Sequence, residues 1–116
     1  MPILNYTTKI DVFSTLGEIQ RILVSNGAKK ILQDYDDGGR VIAVQFLIDT
    51  PSGQRAVRLP ANVDAVFRVL QQQNVKCDYA KAERVAWRIV KDWLQAQMAI
   101  LEAYRNNTLM LKGAEQ

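Results

Sequence analysis

Three aspartates within four positions, Asp34, Asp36 and Asp37, form the tightest cluster of carboxylates in the chain. Paired carboxylates can run acid–base chemistry or hold a divalent cation, and the order D-x-D-D-G-G resembles the front of a calcium loop. The later ligands and the closing glutamate of such a loop are missing, so the aspartates read first as turn residues. A small metal-dependent enzyme built on them is a distant alternative. The chain has no histidine and one cysteine, Cys77. Ser–His and Cys–His nucleophile–base pairs are therefore impossible within it, and a structural zinc site lacks ligands. Gly38 and Gly39 are not followed by the Gly-Lys-Ser/Thr of a phosphate-binding loop. The expectation is no catalytic residue, no cofactor and no metal.

Other chemistry lies in charge and apolar pattern along one stretch, Lys81 to Arg105, which has neither proline nor glycine. Lys81, Arg84, Arg88 and Lys91 step by three, four and three, so they share one face of a helix. Arg84 and Arg88 are like charges at i,i+4, an arrangement that costs a few tenths of a kcal/mol unless an anion relieves it. Trp87 sits at the edge of this stripe, placed to stack on a base. The stripe is a candidate contact for nucleic acid or an acidic partner; its bland counterpart is a solvated helix face. On the functional reading, reversing the charge at Arg84 and Arg88 should remove binding and leave folding intact.

On another face Ala82, Ala86, Ile89, Trp93, Ala96, Ile100 and Ala103 step by four and three, laying a continuous seam. Its alanines leave room for close helix approach. The seam is either the face of a homodimer or the surface that shorter helices of the same domain cover. Trp87 and Trp93 are six positions apart and project in different directions, so both cannot face one small sheet.

The elements that must position these residues follow from period and punctuation. Residues 3–10 alternate loosely and suggest a short strand. Asp11 offers a cap to a helix carrying Val12, Leu16, Ile19 and Leu23, although Thr15 and Glu18 have capping-box spacing and would start it later. Asn26-Gly27 ends it. Strands follow over 29–35, 40–49 and 54–59, divided by Asp36–Gly39 and Thr50–Gly53. In the middle strand Ile42, Val44, Phe46 and Ile48 occupy one face. Asn62 is positioned to cap a helix with Val63, Val66, Phe67 and Leu70 inside, and Asp78 to cap the long helix, expected to run to Asn106. The fold class is α+β: a single domain over 1–106 in the order (β)-α-β-β-β-α-α, with an antiparallel three- or four-stranded sheet backed by helices. Residues 107–116 read as a frayed tail.

Composition sets the remaining bounds. At 116 residues, 48% hydrophobic and 23% charged, the chain is an ordinary globular domain. A net charge of +3 and a pI of about 9.2 permit an anionic partner without demanding one. No stretch approaches eighteen uninterrupted apolar residues, so no membrane span is expected. A start without a basic leader and a lone cysteine fit the cytoplasm.

The runs LPANVDAVFRVL and RVAWRIVKDWLQAQMAILEA, with GAKKI, YDDGGRVIAVQF and the TPSG turn, resemble a group of uncharacterised small proteins carried in bacteriophage and prophage genomes. The likeness covers most of the chain. It implies a phage or mobile-element setting inside a bacterial host cell and a binding role, and it carries no catalytic residue across. The reading is a non-enzymatic interaction module that binds a host or phage protein or self-associates through the long helix. The alternative is a nucleic-acid-binding protein using the basic stripe.

Overall fold

A computed structural model describes residues 8–115, with side chains described for 8–103. The order is α1 (Val12–Ser25), β1 (Ala28–Tyr35), β2 (Val41–Thr50), β3 (Gly53–Pro60), α2 (Val63–Gln72) and α3 (Tyr79–Glu115). This is the expected α+β order, with a three-stranded sheet and a long last helix. The strand expected over 3–10 is irregular at 8–10, and its remainder lies outside the described residues.

Local chemistry accounts for most boundaries. Asp11 starts α1 by accepting from the Ser14 N–H at 2.7 Å, and Thr15 is fully buried. The helix stops where Asn26 donates its side-chain amide to the Ile22 carbonyl at 2.8 Å and Gly27 turns at φ +90°, a conformation that disfavours a Cβ. Asp78 starts α3 by accepting from the Lys81 N–H at 2.8 Å. Asn62 behaves differently from expectation. It sits in the left-handed region at φ 54° and makes no side-chain cap, so α2 begins without one. The backbone of α3 continues helically to Glu115, past the expected end at Asn106.

The sheet is a meander in the order β1-β2-β3, antiparallel throughout. Its register slips between Asp34 and Tyr35, which pair with Ala43 and Val41. The slip leaves Ile42 out of the ladder and turns the expected inward set by one residue. Val41, Val44, Phe46 and Ile48 reach the core, whereas Ile42 is partly exposed.

Two packed clusters hold the domain. The larger joins Leu16, Ile19 and Leu23 of α1, the inner face of the sheet, and Ala86, Trp87, Leu94 and Met98 of α3. The smaller is Leu70 of α2 with Ala82 and Val85 of α3, flanked by Phe67, Cys77 and Ile89. The core therefore lies mainly between α1, α3 and one sheet face, and α2 covers only the start of α3. No helix among the described residues is long and apolar enough to cross a membrane.

Two glycines should respond to alanine with opposite signs. Gly17 lies inside α1 with open space where a Cβ would stand, so Gly17→Ala should stabilise by about 0.5–1 kcal/mol. Gly27 also has space, but its φ of +90° should make Gly27→Ala cost about 1–2 kcal/mol. Urea denaturation midpoints of the two variants measure both.

Candidate interaction surface on the long helix

Two of the three aspartates of the first hairpin, Asp34 and Asp36, are occupied locally, and Asp37 is exposed. Asp36 Oδ1 accepts from the N–H groups of Gly38 and Arg40, each at 2.9 Å, and closes the turn. Asp34 accepts from Gln45 Nε2 at 2.8 and 3.0 Å and from Arg58 Nε at 3.1 Å, forming a cross-strand ladder. The Gln45 hydrogen bonds, then the Arg58 contact, hold its carboxyl below the ordinary value. Among the described residues no three His, Cys, Asp or Glu side chains converge to hold a metal.

The basic stripe is folded inward. Trp87 is 0% exposed and Arg88 only 9%. The Arg88 guanidinium forms an ion pair with Glu18 and donates to Thr15 Oγ1 at 3.3 Å, bridging α3 to α1. Lys91 keeps 15% of its side chain exposed, with its ammonium 3.5 Å from Asp92. Lys81 is half-buried and its Nζ reaches the Lys76 carbonyl at 3.4 Å. Arg84 is half-buried, and its Nε, like the Trp87 indole nitrogen, has no hydrogen-bond partner among the described residues. The candidate nucleic-acid contact formed by Lys81, Arg84, Trp87, Arg88 and Lys91 is thereby corrected: these residues make no open basic face. The anion that relieves the i,i+4 repulsion is internal, supplied by Glu18. Glu18 was legible in the sequence only as a capping partner of Thr15, and nothing in its spacing paired it with a residue 70 positions away.

The apolar circumference of α3 divides into two seams. Trp87, Lys91, Leu94, Met98 and Leu101 step by four and three and are covered, with Leu94 and Met98 in the core. Only half of the seam anticipated from sequence is used within the domain. Ala82 and Ala86 are buried and Ile89 is half-buried, packed against the smaller cluster. Beyond them the seam is bare: Trp93 is 49% exposed and Ile100 63%, and Ala96 and Ala103 are exposed too. Between Trp93 and the end of β3 lies a cleft of about 220 Å³ lined by Leu59, Pro60, Ile89, Val90 and Trp93. The two tryptophans do face different surroundings, one the core and one the outside.

Two other surfaces are open. The sheet face turned away from the helices carries a shallow hollow of about 440 Å³ lined in part by Leu32, Leu47 and Ala56. A cleft of about 360 Å³ at the start of α2 includes Arg58, Arg68, Asp64 and Tyr79. The Tyr79 hydroxyl donates to Asp64 Oδ1 at 3.0 Å, and burial first, then this bond, raises its pKa. Its fixed charges are of both signs, so it offers no one-sided field.

The inward turn of Arg88 reverses the outcome expected of charge reversal there. Arg88→Glu places two carboxylates against each other at the α1–α3 contact and should cost more than about 3 kcal/mol, the lower bound for breaking a buried pair. Glu18→Ala should cost less, about 2–3 kcal/mol, because 35% of the Glu18 side chain is in water. Replacing both with apolar residues, Arg88→Met with Glu18→Leu, should recover most of the loss. Chemical denaturation of the three variants provides the comparison, and wild-type stability in Arg88→Glu would contradict the buried bridge.

No protein-family model matches the chain, and no curated protein and no solved structure is significantly similar to it.

Proposed function

We propose that the protein is a non-enzymatic interaction module that self-associates through the exposed part of the α3 seam, Trp93, Ala96 and Ile100, with the half-buried Ile89 at its edge. A phage or mobile-element setting belongs to the proposal on the sequence resemblance alone. One observation carries the reading. A single heptad-spaced seam runs from Ala82 to Ala103; its first half is packed inside the domain, while in its second half Trp93 is 49% exposed and Ala96, Ile100 and Ala103 are exposed among the described residues. A stripe of this width and spacing is what a second helix covers.

The flanks of the bare half favour a second copy over a charged partner. Val90, Gln97 and Ala99 border it, and Asp92 is the one charged neighbour between Ile89 and Ile100 on that side. Such a border neither repels an identical surface nor selects a basic or acidic one. The nucleic-acid alternative loses Trp87 and Arg88 to the interior. Enzymatic chemistry finds no support in hairpin aspartates that serve the turn and the strand ladder, nor in Cys77, which is packed beside Leu70.

The size of the surface sets the strength. From Ile89 to Ala103 the seam is about 21 Å long and one helix wide, which gives a two-fold contact below roughly 1,200 Å². Interfaces of that class are weak and transient. Each large side chain gains about 1.5–3 kcal/mol on full burial, and Trp93 has already realised about half of this inside its own domain.

Sedimentation equilibrium tests the proposal. The mass should rise from 13.1 kDa toward twice that value, with a dissociation constant on the order of 100 µM, equivalent to about 5–6 kcal/mol. Ile100→Asp should abolish the rise and change folding stability by less than about 0.5 kcal/mol, as expected of an exposed site. A strictly monomeric mass at about 1 mM, where even a 4 kcal/mol association is half complete, would refute it.

A further inference from the structure

The two edges of the sheet are not equivalent. The strand order β1-β2-β3 leaves β1 and β3 each with one unpaired side. β1 is blunted by irregularity, as edge strands often are: its register slips around Lys29 and again between Asp34 and Tyr35. β3 keeps a regular ladder. Its eight residues pair with β2 without a shift, from Ala43–Pro60 to Thr50–Gly53. Its proline stands last, and Gly53 to Ala56 and Arg58 are exposed.

The ladder fixes which backbone groups of β3 are left over. The Ala61 N–H donates to the Ile42 carbonyl at 3.1 Å, so Ile42–Ala61 is a hydrogen-bonded pair. Bonded and unbonded pairs alternate along an antiparallel ladder. Leu59, Val57, Arg55 and Gly53 therefore bond to β2, and Arg58, Ala56 and Gln54 turn their N–H and C=O groups to the open side. Pro60 falls in the outward set, where a missing N–H costs no ladder bond. These outward groups are spaced as a fourth strand requires.

Arg55 and Arg58 select the occupant. Arg58 lies on the outer face with its Nε on Asp34 and half of its side chain in water. Arg55 lies on the other face, donating to Ser52 Oγ at 3.2 Å, with no carboxylate partner among the described residues. Between them Ala56 borders the apolar hollow with Leu32 and Leu47, and Val57 packs on the core. An antiparallel strand with a carboxylate opposite each arginine and apolar residues opposite Ala56 and Val57 meets complementary groups at all these positions. A second β3 does not. Paired two-fold about Ala56, it brings the arginines of both copies into one strip without a carboxylate, which disfavours that pairing. The helix α2 starts beyond Pro60, at the opposite end of β3 from Gly53.

We infer that the free side of β3 is the docking edge for an extended acidic segment of another protein, which joins the sheet as a fourth strand along Gly53–Arg58. Opposite Arg58 to Arg55 that segment reads acidic, apolar, apolar, acidic. The inference is independent of the α3 pairing proposed above and uses different residues.

The peptide acetyl-TVEVVETS-amide carries this pattern and is the probe. It is titrated into isotope-labelled wild-type protein at low micromolar concentration, below the range in which the α3 seams pair. The backbone amides of Gln54, Ala56 and Arg58 should shift and exchange more slowly, while those of Arg55 and Val57, already bonded within the sheet, change little. The same peptide with glutamine at both glutamate positions should bind roughly fivefold more weakly, as two exposed charge pairs allow. Arg55→Gln with Arg58→Gln should erase that difference and leave the fold intact. Ala56→Pro removes an outward N–H and no ladder bond, and should abolish binding. Equal affinity of the wild type for the two peptides would overturn the acidic partner. Shifts of the Leu32 and Leu47 methyls without the three amides would overturn strand addition. Should the three amides respond instead to concentrating the protein alone, the occupant is a second copy and the inference falls. A chain that never pairs through α3 would still give every expected response.

Discussion

The governing constraint is the length of α3. Thirty-seven residues make a rod of roughly 55 Å, apolar along two seams. The elements available to cover it are a three-stranded sheet and two helices of fourteen and ten residues. Among the described side chains they enclose α3 up to about Lys91 on nearly all sides and cover one seam from there to Leu101. The side facing Trp93 and Ile100 is what remains. Among the described residues, leaving it bare is a consequence of these element lengths.

Enclosure of the first half explains its buried charge. A helix packed against α1, α2 and the sheet carries Arg84 only partly into water and Arg88 hardly at all. A guanidinium taken from water costs several kcal/mol unless it is paired and hydrogen-bonded, and Glu18 with Thr15 supplies both to Arg88. The same contact sets the axial position of α1 on α3, because a one-residue slide would separate the charges in a low-dielectric gap. Trp87 lies next in sequence, buried completely with its indole N–H unmatched. Burying the largest side chain of the core outweighs that unmet donor, whose cost is about 1–3 kcal/mol. Apolar packing fixes this region, and the ion pair makes its alignment specific.

Most of the fold was legible because its signals are local. Asp11 and Asp78 cap the helices for which they were read, Asn26-Gly27 ends α1, and the alternation of β2 gives its core residues apart from the slip at Ile42. The slip was not legible because Val41 and Ile42 are equally suited to face inward, and pairing with β1 decides between them. The site was half legible. Spacing identified the seam from Ala82 to Ala103 but not the covered one through Trp87, Leu94 and Met98, and it could not say which part would be consumed inside the domain, since that depends on where α1 and α2 stop. The basic stripe failed for a definite reason. Helical spacing shows that Arg84, Arg88 and Lys91 share a face, yet it says nothing of the direction in which that face points, and Glu18 lies in a different element. A like-charge pair on a helix is equally a mark of an external anion and of a carboxylate carried by the chain itself.

The bare seam also limits how far association can go. An exposed apolar surface risks open-ended aggregation when it can bind a different patch on the next molecule. In the proposed self-association the same residues supply both sides of the contact. A two-fold pair consumes that stripe on both copies and leaves none of it for a third. The patch is small enough to be tolerated in a single chain, and its alanines reduce the apolar area it presents. A weak closed contact of this kind makes the paired fraction a function of concentration. On the self-association proposed above, the α3 seam is the place where one element, too long for the elements that cover it, would become a specific surface.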